Sequence, residues 1–303
     1  MTNEDILRVK GLGCLRDKTT PDCFNIRVIT RNGKITAEEL DAISMAAKKF
    51  GSGEVAFTTR QTVEIQRVKY ENIDTLIDFL KEYGLETGGT GPKVRPVVSC
   101  KGTTCVFGLI DTFDLSMKIH QRFYKGYRNV KFPHKLKIAV GGCPNNCVKP
   151  DLNDIGIVGQ LIPTVDTEKC RGCKACAVEK ACPIKACKVV DGKIEYDRNA
   201  CNNCGRCKGK CPFNAFDSYT VGYKIYIGGR WGKQFSRGIA LSRIFTSESE
   251  CLNAIEKAML LFKDKGIQGE RFAQTIDRIS FDEAEKLIYS NELLERKDEI
   301  LSK

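Results

Sequence analysis

The chain has 303 residues, of which 42% are hydrophobic and 29% charged, with 16 cysteines and a formal net charge of +11. That composition describes a folded globular chain of one large or two to three small domains and excludes a disordered one. No apolar run nears the ~20 residues of a membrane span, and the charged start MTNEDILRVKG lacks the apolar stretch of a signal peptide, so a soluble cytoplasmic protein is expected.

In chain order, CFNIRVIT (23–30) reads as a strand followed by an Asn32-Gly33 turn. Thr36 and Glu39 form a capping box that opens a helix with apolar positions at Leu40, Ile43, Ala46 and Ala47, ending near Gly51. Residues 55–68 hold two short strands around Thr59-Arg60-Gln61. A second amphipathic helix over 72–83 stops at Gly84. The Gly/Pro-rich stretch ETGGTGPKVRP is a loop leading into Val97-Val98-Ser99-Cys100. Residues 109–124 read as a helix, 135–140 as a strand, 223–229 as a strand, and 248–264, 269–278 and 281–300 as helices. Between 164 and 217 lies a cysteine-rich block that interrupts the larger domain.

Twelve of the sixteen cysteines fall into tight runs or close pairs. Neighbours that close suit a shared metal centre better than disulfides, which bridge separate segments. The block reads Cys170-x2-Cys173-x2-Cys176-x5-Cys182-Pro, then Cys201-x2-Cys204-x2-Cys207-x3-Cys211-Pro. The second run has the bacterial ferredoxin spacing, in which the fourth cysteine ligates the other cluster. Transferred here, Cys170, Cys173, Cys176 and Cys211 hold one 4Fe–4S cluster, and Cys201, Cys204, Cys207 and Cys182 the other. The x5 gap before Cys182 departs from that spacing, which leaves Cys187 as an alternative ligand. Paired four-cysteine zinc sites are the bland reading.

Two further pairs, Cys100-x4-Cys105 and Cys143-x3-Cys147, could hold zinc or a third cluster. Cys14, Cys23, Cys187 and Cys251 have no partner at ligand spacing and read as ordinary thiols. Of the two histidines, His120 reads as packed or surface, while His134, close to the lysines, could relay a proton. Three anionic clusters, about −2 each, would offset about half of the basic excess, and the basic residues are better read as counter-charges to anionic cofactors and substrate than as a nucleic-acid surface. No basic run is interleaved with aromatics as in a nucleic-acid groove.

TTRQT (58–62), VRPVVSCKGTTCVFGLIDT (94–112), KLKIAVGGCPNNCVKPDLNDIGIVG (135–159) and YIGGRWGKQ (226–234) resemble the sirohaem-dependent nitrite and sulfite reductase family, most of all its branch of anaerobic sulfite reductase C subunits. The resemblance implies an α+β fold. It comprises a ferredoxin-like half domain (1–90), a sirohaem/4Fe–4S catalytic domain (91–163 and 218–303) and an inserted two-cluster ferredoxin domain (164–217). It implies that Cys100, Cys105, Cys143 and Cys147 bind a third 4Fe–4S cluster, and that Cys147 bridges it to the sirohaem iron. It also implies that Arg60, Arg95, Lys135 and Lys137 bind the anionic substrate. The departure is x4 where many relatives have x5 between the first two cysteines. Gly228 and Gly229, with Gly232, either present backbone N–H groups to the macrocycle's carboxylates or form a plain turn.

The implied activity is the six-electron reduction of sulfite to sulfide. Nitrite reduction to ammonia and a haem-less electron carrier are the alternatives. With no GxGxxG fingerprint, electrons are expected from flavin and iron–sulfur partner subunits that oxidise NADH, or from ferredoxin. One copy of a unit that larger relatives carry twice implies a homo- or hetero-oligomer.

Overall fold

The computed structural model describes residues 2–303. Helix α1 (Asn3–Gly11) opens on a Thr2–Asp5 capping box and leads to strands β1 (Cys14–Arg16) and β2 (Cys23–Ile29). Helix α2 (Ala37–Phe50) starts at the expected Thr36–Glu39 box and ends at Gly51. Strands β3 (Val55–Phe57) and β4 (Val63–Lys69) follow, then α3 (Ile73–Glu82) and β5 (Glu86–Thr87). The strand order is β1-β2-β4-β3, with β5 also pairing β2. Ile43, Ala46 and Ala47 of α2 and Leu76 and Leu80 of α3 are fully buried with Phe24, Ile26 and Ile65 of the sheet. Leu40, expected on that face, is 42% exposed. Each of the buried Ile, Leu and Phe side chains stabilises this layer by about 1.5–3 kcal/mol.

The second sheet comprises β6 (Val98–Ser99), β7 (Ile138–Gly141), β8 (Ile155–Thr164), β11 (Ser218–Ile227) and β12 (Ile239–Ala240), in the order β12-β11-β8-β7-β6. Strands β6, β7 and β8 run parallel, whereas β11 is antiparallel to β8. The segment expected as one helix over 109–124 is α4 (Thr112–Ile119) continued by a π-turn over His120–Lys125. There His120 is buried and stacks on Tyr124 at 4.8 Å. Helix α6 (Glu248–Lys265) runs through the core, with Phe262 against Phe132 and Phe272. The single helix expected over 281–300 is broken. After α7 (Phe272–Ile279) come α8 (Phe281–Tyr289), α9 (Glu292–Glu295) and α10 (Lys297–Ser302). No described helix is long and apolar enough to cross a membrane.

The cysteine-rich block is carried between two paired strands. Thr164, the last residue of β8, pairs with Ser218, the first of β11. The block holds a short helix α5 (Ala177–Ala181) and a hairpin, β9 (Cys187–Val190) with β10 (Lys193–Tyr196). It has its own small core around Val178, Ile194 and Phe216.

Candidate active site

The turn between β3 and β4 reaches from the first sheet into the second. Gln61, at φ +56°, exchanges two bonds with Ser99: its Nε2 donates to the carbonyl at 2.7 Å and its Oε1 accepts from the N–H at 2.8 Å. Beside it the Arg60 guanidinium donates to Asn153 Oδ1 at 2.7 Å, to the Ile138 carbonyl at 3.1 Å and to the Pro96 carbonyl. Its Nε is buried without a partner. Burial, with the nearby Arg95 and Arg27, lowers Arg60 to about 9, against the pull of Asp154.

Arg60 and Lys137 line one cavity of about 250 Å³, together with Thr59, Val98, Val148, Lys149, Leu152, Asn153 and Trp231. Lys137 and Lys135 are half-buried on the extended run into β7, with buried Leu136 between them. Burial lowers Lys137 to about 8, helped by Arg271, Arg60 and Lys135 and opposed by Asp154. Burial also lowers Lys135, with Arg271, Arg95 and Arg230 adding to it. Lys135 and Arg95 do not line the cavity. The Arg95 guanidinium instead donates to the Gly89 carbonyl, which Arg27 also holds, and its Nε is buried and unpaired. His134 accepts the Lys135 N–H at its Nδ1, 2.7 Å away.

One carboxylate answers this set. Asp154 is fully buried and takes two bonds from Arg271 Nη2, at 2.8 and 2.9 Å, and one from the Lys137 N–H at 2.8 Å. Asp154 and Arg271 carried no signal in the sequence, since 117 residues separate them. Positive charge therefore exceeds the one paired carboxylate among these residues, which gives the region a positive field. Of the two readings of the glycines, the plain turn holds at Gly228, whose N–H donates to the Asp154 carbonyl at 2.9 Å and is not free for a ligand. At Gly229 a Cβ would stand 2.3 Å from the Asn153 carbonyl oxygen, so close backbone packing requires glycine there. A larger groove of about 740 Å³ beside β9 and β10 mixes Lys185, Lys188 and Arg198 with Glu195 and Asp197 and lies away from the basic set.

The loop after β7 turns twice, with Asn146 at φ +56° and Lys149 at φ +48°. Asparagine tolerates that left-handed region better than most residues. Burial raises the Cys143 thiol, and the neighbouring sulfurs of Cys147, Cys100 and Cys105 add to the effect, so the four sulfurs share one locality. The Gly142 N–H donates to Cys100 Sγ at 3.1 Å. Cys147 is exposed, next in sequence to the cavity residues Val148 and Lys149.

In the block, Cys170, Cys173, Cys176 and Cys211 line one hollow. Cys182, Cys201, Cys204 and Cys207 line another, and Cys187 lines it too. Burial pushes Cys207 up to about 11, with the sulfurs of Cys201, Cys204 and Cys182 contributing. Among the described residues no three Cys, His, Asp or Glu side chains stand close enough to share a single metal ion. The second set is seated against strand β8 and the loop before α4. The Leu161 N–H donates to the Asn203 carbonyl at 2.8 Å, Gly205 packs on Leu161 and Leu109, and the Arg206 guanidinium lies 4.3 Å from the Phe107 ring centre. Cys14, Cys23 and Cys251 are buried thiols elsewhere.

An α+β chain with two sheets, and with a basic pocket beside clustered cysteines, has counterparts among solved structures. It aligns with a dissimilatory sulfite reductase, at TM-score 0.71 and 20% identity over 88% of this chain and 69% of that one. It also aligns with the NirA protein of Mycobacterium tuberculosis, at TM-score 0.67 and 16% identity over 97% and 48%. Residues 90–297 match the nitrite and sulphite reductase 4Fe-4S domain, and residues 16–83 match the nitrite/sulfite reductase ferredoxin-like half domain. The chain therefore belongs to the nitrite and sulphite reductase family.

Among curated relatives, it is 32% identical over 275 residues to a coenzyme F420-dependent sulfite reductase of Methanocaldococcus jannaschii, covering 89% of this chain and 42% of that protein. It is 33% identical to an uncharacterised protein of the same organism, covering 81% and 84%. It is 29% identical to the anaerobic sulfite reductase C subunit of Salmonella typhimurium, covering 70% and 66%. The chain thus spans less than half of the first relative and about two thirds of the third.

Proposed function

We propose that this chain is the catalytic subunit of a sulfite reductase that holds sirohaem and three 4Fe–4S clusters. The observation that carries the reading is the juxtaposition of the Cys100, Cys105, Cys143 and Cys147 sulfurs with a pocket whose cations outnumber its carboxylates. The donor chemistry fits the groups. Thiolates suit iron–sulfur clusters, and exposed Cys147 is free to share its sulfur with a second iron. Arg60 and Arg95 keep buried, unpaired Nε groups, and exposed Lys149 suits a polycarboxylate macrocycle.

When bound, the coupled haem and cluster supply the electrons. The chain's own residues do the rest. Arg60, fixed by three acceptors, offers a rigid cation to a sulfite dianion. Lys137, lowered toward neutrality, can hold or give up a proton where oxygen leaves as water. The Cys170 and Cys201 runs, the latter seated on the catalytic unit, are suited to carry electrons inward from flavin and iron–sulfur partner subunits. Trp231, which lines the cavity, and Phe235, its ring centre 6.1 Å from that of Trp231, stand 61% and 69% exposed, which favours a second subunit over the open face.

Protein purified without air should show haem bands beside broad cluster absorption and oxidise reduced viologen dye on adding sulfite. Cluster absorption alone would point to a haem-less carrier, and faster turnover of nitrite than of sulfite would move the substrate.

A further inference from the structure

The two cysteine runs of the block are halves of a structural repeat that reaches beyond the cysteines. Cys182-Pro183 and Cys211-Pro212 each lead to a left-handed residue, Lys185 at φ +57° and Asn214 at φ +62°. Each then returns a backbone N–H to the cysteine: Ala186 to Cys182 Sγ at 3.2 Å, and Ala215 to Cys211 Sγ at 3.4 Å. Each alanine carbonyl accepts from an aspartate N–H of the opposite half, Asp197 at 2.9 Å and Asp166 at 3.0 Å. Those two aspartates in turn receive the N–H groups two and three residues on. Cys182 is therefore the structural counterpart of Cys211, which makes it the fourth ligand of its set.

The same correspondence pairs Cys187 with Phe216, each five residues beyond its cysteine. Phe216 is fully buried and lines the hollow of the Cys170 set. Cys187, 4% exposed, lines the hollow of the Cys201 set. Where one half places an inert ring, the other places a fifth sulfur. Four sulfurs suffice for a cube.

We propose that Cys187 is a reserve ligand, able to take the iron that Cys182 holds if Cys182 is lost, while the Cys170 set has no such substitute. Binding would cost the Cys187 thiol its proton and move the chain by a side-chain rotation or a small shift at the start of β9. The claim rests on the reading that this set holds a 4Fe–4S cluster.

The experiment compares iron and acid-labile sulfide per chain, and the electron paramagnetic resonance of the dithionite-reduced protein, for wild type, Cys187→Ser, Cys182→Ser, Cys211→Ser and Cys182→Ser/Cys187→Ser. Wild type and Cys187→Ser should carry equal iron. Cys182→Ser should keep that iron with an altered spectrum, while Cys211→Ser and the double variant each lose about four irons or convert a cube to a three-iron form. Equal iron loss in Cys182→Ser and the double variant overturns the reserve role. Wild-type protein without ferredoxin-type signals overturns instead the underlying reading. Circular dichroism of each variant identifies unfolding, and an unfolded Cys182→Ser beside a folded Cys211→Ser also counts against the proposal.

Discussion

Substitution of Asp154 tests the electrostatic design of the site. Its carboxylate is wholly buried and accepts three bonds of 2.8–2.9 Å, two from Arg271 and one from the Lys137 backbone. Asp154→Ala would leave Arg271, 6% exposed at its side chain, as a buried cation among Arg60, Lys135 and Lys137. Breaking one side of a buried ion pair costs about 3–5 kcal/mol, and like-charge crowding adds to that here. For a domain of this size the cost lowers the melting temperature by roughly 10 °C. Thermal melts of protein prepared without cofactors, followed by circular dichroism, measure it free of ligand stabilisation. The double variant Asp154→Ala/Arg271→Met removes the stranded charge and should melt above the single variant. A single variant melting within about 2 °C of wild type, or a double variant no better than the single, would refute the idea that this carboxylate restrains a surplus of positive charge.

On the proposed function, Lys137→Met should leave the cluster and haem absorption in place and cut sulfite turnover about tenfold or more; unchanged turnover would remove the ammonium from the reaction. Because Lys137 is lowered from 10.5 to about 8, wild-type turnover should fall as pH rises through about 8, and Lys137→Arg should carry that limb upward. The lowered value also has a stability sign: the unfolded chain binds more protons than the folded one between about 8 and 10.5. Stability should therefore rise with pH across that window in wild type and rise less in Lys137→Met, as pH-dependent denaturant melts would record. At Gly205, φ is +70° and a Cβ would meet Leu161 at 2.8 Å. On the proposed function, Gly205→Val should loosen the seat of the Cys201 run and slow electron transfer from that run to the proposed haem site, with iron content preserved. Equal stopped-flow rates would rule out that seat as a determinant.

The local parts of this molecule were legible because their chemistry is local. Cys-x2-Cys spacing, the Thr36–Glu39 box and the Thr59-Arg60-Gln61 turn each declare themselves within a few residues. Strand β8 escaped notice as a strand because Ile155–Leu161 is buried throughout and shows no alternation. Helix α1 hid behind a charged segment whose only marker is the Thr2–Asp5 cap. The Asp154–Arg271 pair joins residues with no sequence pattern in common. Arg95 illustrates the opposite limit: the family resemblance singled it out, yet its guanidinium is turned to the Gly89 carbonyl. The repeat around the cysteine runs was half visible, since the matching turns at Lys185 and Asn214 share conformation but not residue type.

The cysteine-rich block leaves β8 at Thr164 and re-enters β11 at Ser218, which are neighbours across the ladder. Directly opposed residues of antiparallel strands lie about 5 Å apart, a gap that an ordinary tight turn spans. The sheet thus closes on itself whether its tip carries two residues or several dozen. A cassette mounted this way can be exchanged, enlarged or dropped while every rung beneath it stays in register.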